Sequence, residues 1–97
     1  MASIEEKIQF SGKSDQLVYE AAVSAVPQVG LEIWKTREIA RLIMAKGIYN
    51  EKKVRCNIVI SMVDSSTTIT VESDDLGENA MAHVLVSLKD ALIKQLG

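Results

Sequence analysis

From Lys53 to Ser73 the apolar and polar positions alternate in two consecutive stretches. Val54, Cys56, Ile58, Ile60 and Met62 share one parity, with Arg55, Asn57 and Ser61 on the other. Asp64-Ser65-Ser66 interrupts the pattern, and Thr68-Ile69-Thr70-Val71-Glu72 resumes it. Successive side chains of a strand point to opposite faces, so this stretch predicts an antiparallel hairpin with one buried face and one wetter face. Upstream, Ile4, Ile8 and Phe10 alternate with Glu5, Lys7 and Gln9, predicting a first strand in which Glu6 is the misfit. Ser11-Gly12-Lys13 breaks that strand, and Ser14 or Asp15 supplies a helix cap. Leu17, Val18, Ala21, Ala22, Ala25 and Val26 then recur at helical spacing until Pro27 and Gly30 end the helix between residues 26 and 30.

A short second strand follows, with Leu31, Ile33 and Lys35 opposed in parity to Glu32, Trp34 and Thr36. Residues 39–46 fit either a helix face or a strand; a strand is preferred because strands flank them and Gly47 to Lys52 reads as a loop. Asp74-Asp75-Leu76-Gly77 leads into a last helix, where Ala80, Met81, Val84, Leu85, Leu88, Ala91 and Leu92 form an apolar stripe. The expectation is a single α+β domain over residues 1–97, with the order β-α-β-β-β-β-α. One antiparallel sheet of four to five strands carries both helices on one face. This order resembles the helix-grip arrangement of TATA-binding-protein-like and START-related domains, in which a long C-terminal helix lies across a curved sheet. The resemblance spans nearly the whole chain but rests on element order, so it assigns no functional residue. At 97 residues the chain is too short for the large lipid cavity of the START-related group.

Composition narrows the field. With 47% apolar and 25% charged residues the chain is expected to fold. No apolar run approaches the roughly 20 residues that span a bilayer, and the N-terminal residues lack signal-peptide character, so the expected setting is cytoplasmic without membrane contact. The net charge is -2, but it is unevenly spread: residues 35–55 carry +5, whereas 1–34 and 56–97 carry -3 and -4.

Candidate chemistry is sparse. Gly12-Lys13-Ser14 has the ending of a phosphate loop, but the position five residues before Gly12 is Lys7, where that loop requires glycine. Cys56 lies on the apolar parity and reads as core, and His83, the sole histidine, lies on the polar stripe of the last helix with Asn79 and Ser87. Asp74, Asp75, Glu78 and Asn79 are too bunched for a calcium loop and read as helix-capping and dipole-complementing groups. No catalytic set, metal set or cofactor is expected.

The remaining features point to binding. Trp34 falls on the nominally wet side of its strand, and Ile43, Val59 and Val63 are expected beside it. If 39–46 is a strand, Arg41 and Arg55 share the sheet face opposite the helices, with Asn57 nearby. The expectation is a non-catalytic interaction module using that face, as a homodimer or with a protein partner. Four aromatic residues make nucleic acid a poor fit. The alternative is a carrier of a small apolar ligand, held between sheet and last helix by Met44, Met62, Met81 and Leu85.

Overall fold

The computed structural model describes residues 2–10 and 12–97; Met1 and Ser11, the latter part of the expected break after the first strand, lie outside the described residues. The elements are β1 (Ala2–Ile8), α1 (Asp15–Gln28), β2 (Glu32–Arg37), β3 (Leu42–Tyr49), β4 (Lys52–Ile60), β5 (Thr67–Ser73) and α2 (Glu78–Leu96). The strands form one antiparallel sheet of five in the order β1-β5-β4-β3-β2. Both helices lie on the same face, α1 over β2, β3 and β4 and α2 over β5 and β1.

The alternation decides which face they cover. Ile43 and Ala45 on β3, Val54, Cys56, Ile58 and Ile60 on β4, and Ile69 and Val71 on β5 all point at the helices and are buried. They meet Val18, Ala22, Ala25 and Val26 of α1 and Met81, Leu85, Leu88 and Leu92 of α2. Each large aliphatic side chain so buried stabilises the fold by about 1.5–3 kcal/mol before entropy is counted. Glu6, the misfit of β1, sits at the sheet edge and reaches Lys89 of α2 at 2.5 Å.

Local signals set the helix ends. Ser14 Oγ accepts the Leu17 N–H at 3.1 Å as the cap of α1. At the other end, the Gly30 N–H donates to Pro27 O and the Leu31 N–H to Val26 O, with Gly30 at φ +83°. The acidic residues before α2 do not cap it. Gly77 occupies the cap position without a side-chain bond, and Ser73 Oγ takes the N–H groups of Asp75 and Leu76 at 3.2 and 3.1 Å. The same hydroxyl donates to Lys53 O at 2.7 Å, tying the exit of β5 to β4. Glu78 in the first turn does complement the dipole.

Several boundaries differ from expectation, beginning with the first strand, which ends at Ile8 and leaves Phe10 outside it. The ambiguous segment is a strand, but β3 begins at Leu42 and continues to Tyr49. Ile39 instead lies on the turn between β2 and β3 and is 91% exposed. The expected loop from Gly47 to Lys52 shrinks to a turn at Asn50 and Glu51, both at positive φ. Gly47 is needed within the strand, because a Cβ there would stand 2.7 Å from Leu31 Cδ2. Finally, β4 stops at Ile60, so Met62 leaves the alternation and sits exposed on the Ser61–Ser66 turn.

Candidate functional site: the open sheet face

The face turned away from the helices is built by the other parity of every strand. Strand register arranges its side chains in cross-sheet rows. The central row runs Glu5, Thr70, Asn57, Met44 and Lys35 from β1 to β2. On one side lies the row Ser3, Glu72, Arg55, Lys46 and Glu32, and on the other Lys7, Thr68, Val59, Leu42 and Arg37. Side chains directly opposite across antiparallel strands stand about 5 Å apart, so each row is a contact series. Within the central row Thr70 Oγ1 donates to Glu5 Oε2, and between rows Asn57 Nδ2 donates to Glu72 Oε1, both at 3.5 Å.

Trp34 owes its position to a bulge. Ile33 pairs with Ala45 and Lys35 with Met44, leaving Trp34 as the extra residue of β2. The indole is 49% exposed. The bulge also reverses the parity beyond it, so Lys35 joins the open face while Thr36 faces Ile43. Leu42, Met44, Val59 and Trp34 thus put apolar surface on the β2–β4 half of the face. Cations concentrate there too, with Lys35, Arg37, Lys46, Lys53 and Arg55 against Glu32; Glu5 and Glu72 lie toward β1.

Of the residues expected at a partner surface, Trp34, Arg55 and Asn57 lie on this face. Ile43 does not: it is fully buried, because β3 turns its odd positions inward. Arg41 is also elsewhere. It precedes β3 at φ +52°, its Nε donates to Asp15 Oδ2 at 2.8 Å, and its guanidinium lies 5.8 Å from the Tyr19 ring centroid, on the helix side. The Arg41–Asp15 pair staples the β2–β3 turn to the start of α1. Val59 is on the open face, and Val63 is 96% exposed on the neighbouring turn.

The four residues expected around an apolar ligand separate. Met81 and Leu85 are packed in the core, Met44 points to the open face, and Met62 is on the exposed turn. A space of about 60 Å³ near Leu31, Tyr49, Val54 and Val84 lies between sheet and helices. That is well short of the roughly 300 Å³ at which small-molecule sites begin.

Titratable groups away from the face are structural. Burial pushes the Cys56 thiol up to about 12, with the Glu72 charge adding to the effect. The Ser66 N–H, donating to Asp64 Oδ1 at 3.0 Å, holds that carboxyl down to about 2. His83 is exposed on α2, with its Nδ1 3.1 Å from the Tyr49 hydroxyl. Among the described residues no three His, Cys, Asp or Glu side chains gather as a metal site, and no helix is long and apolar enough to cross a membrane.

Sequence reasoning missed a groove on the open face. It is lined by Glu32, Lys46, Ile48, Lys53, Val54 and Arg55, among others, and encloses about 610 Å³. The alternation Leu42, Met44, Lys46, Ile48 carried the signal, but reading Gly47 as the start of a loop concealed it. The chain matches no protein-family model and no curated protein sequence.

Proposed function

We propose that this protein is a non-catalytic binding module of the small helix-grip type whose open sheet face associates with a second copy of itself. The observation that carries the reading is the uncovered apolar surface of Trp34, Leu42, Met44 and Val59, on a face that neither helix touches. Charge placement supports a self-complementary pairing. A twofold axis parallel to the strands and passing over β4 lays β1 of one copy over β2 of the other. Glu5 then meets Lys35, Glu72 meets Lys46, and Val59 meets its own counterpart. The same operation opposes Arg55 to Arg55, a repulsion that the adjacent Glu72 carboxylates moderate, and Lys7 to Arg37 at the sheet edges, which weakens the pairing.

Analytical ultracentrifugation of wild type, Trp34→Glu and Val86→Glu tests this. Val86 is exposed on α2, in the helix layer rather than on the open face, and is the control for added charge. Wild type and Val86→Glu are expected to dimerise, with Trp34→Glu weakened by at least about tenfold, or 1.4 kcal/mol. A wild-type monomer at high micromolar concentration, or a Trp34→Glu variant as associated as wild type, rejects the reading.

A further inference from the structure

The groove at the Lys46–Arg55 end of the open face carries a charge pattern of its own, and because Lys46 and Arg55 also face the second copy in the proposed pairing, a ligand there competes with self-association. Lys46 stands directly across from Arg55, and Lys53 lies two positions from Arg55 on the same side of β4. Like charges directly opposed on neighbouring strands destabilise a sheet. Glu32 next to Lys46 and Glu72 next to Arg55 flank that pair, while the residue across from Lys53 on β3 is Ile48. The groove lining therefore has three cations against one carboxylate, in a chain whose net charge is -2. Its exposed apolar side chain is Ile48, at 73%, since Val54 turns into the core. The volume of about 610 Å³ lies within the small-molecule range of about 300–1,000 Å³.

We propose that this groove binds a small organic anion, with its acidic head on Lys46 and Lys53 beside Arg55 and its apolar body along Ile48. An anionic head offsets the positive charge of Lys46 and Lys53, which stand on neighbouring strands at this end of the face. An apolar body gains from covering Ile48, which the fold leaves in water. Inorganic phosphate supplies the charge without the apolar contact and is the weaker ligand. Glu32 at the β2 side disfavours a second acidic group there.

The probe is 1-anilinonaphthalene-8-sulfonate, titrated by fluorescence against wild type and a Lys46→Gln/Lys53→Gln variant whose fold is checked by circular dichroism. Both lysine side chains are exposed, so the variant is expected to fold. Saturable one-site binding is expected, weakened at least about tenfold in the variant and by added salt. Octanoate and octyl phosphate are expected to displace the dye at concentrations where inorganic phosphate does not, and the stronger of the two identifies the head group. Absence of saturable binding in both wild type and Trp34→Glu overturns the proposal. So does equal affinity in the variant, or a neutral dye such as Nile red binding as tightly at the same site. Trp34→Glu, expected to be monomeric, is titrated as well: with no second copy on the face it reads the groove alone, so anion binding and self-association can each fail alone.

Discussion

Cys56 occupies the middle of β4 with its thiol turned into the core, where burial lifts its pKa from 9.0 to about 12. Between those values the unfolded chain releases a proton that the folded chain retains. Stability from this group is therefore fully present below pH 9 and is lost as pH rises toward 12, by about 1.4 kcal/mol per pH unit. Urea unfolding at pH 8 and pH 10 is expected to show a larger loss for wild type than for Cys56→Ala, by on the order of 1 kcal/mol; equal losses reject the assignment. The burial of Cys56 and the exposure of Trp34 were legible from parity alone, because each sits in a clearly alternating stretch. Ile43 was misplaced because its run is apolar on both parities, so alternation sets no face. Arg41 was misplaced because its partner, Asp15, is 26 positions away in sequence, beyond any local pattern.

The β3–β4 hairpin turns on Asn50 and Glu51, at φ +51° and +67°. Asparagine tolerates this left-handed region, whereas for glutamate it costs about 1 kcal/mol. Glu51→Gly supplies the residue such a two-residue turn favours and is expected to raise stability by up to about 1 kcal/mol, read from the urea midpoint. A lowered midpoint rejects the strain. Lacking the Asn-Gly signature, this turn was not legible, and Gly47 drew the loop assignment toward itself although its role is to admit Leu31. Helices were the most readable elements. Ser14, Pro27 and Gly30 marked the ends of α1, and the stripe from Ala80 to Leu92 marked α2. The entry to α2 misled because Asp74 and Asp75 resemble caps, while the hydroxyl that binds those amides belongs to Ser73 at the end of the preceding strand.

At the scale of the molecule, one covered and one open face follow from the strand alternation, which is why the fold class was legible. The order β1-β5-β4-β3-β2 was not, because placing β1 beside β5 depends on contacts between distant parts of the chain, such as Thr70 with Glu5, 65 positions apart. The groove depends on the β3–β4 register in the same way. This topology predicts how the chain folds. The β2–β5 meander closes through short connections, whereas β1 must bridge most of the sequence, so its pairing comes last. In stopped-flow measurements Ile4→Ala is expected to speed unfolding and leave refolding nearly unchanged, while Ile58→Val also slows refolding. Slowed refolding in Ile4→Ala alone reverses that order. During synthesis the first strand made thus waits for one of the last, and until residues 67–73 leave the ribosome, Ile4 and Ile8 have no strand to lie beside. The interval before that pairing, set by the pace of translation, is when this chain is most open to capture by a chaperone or by another nascent copy.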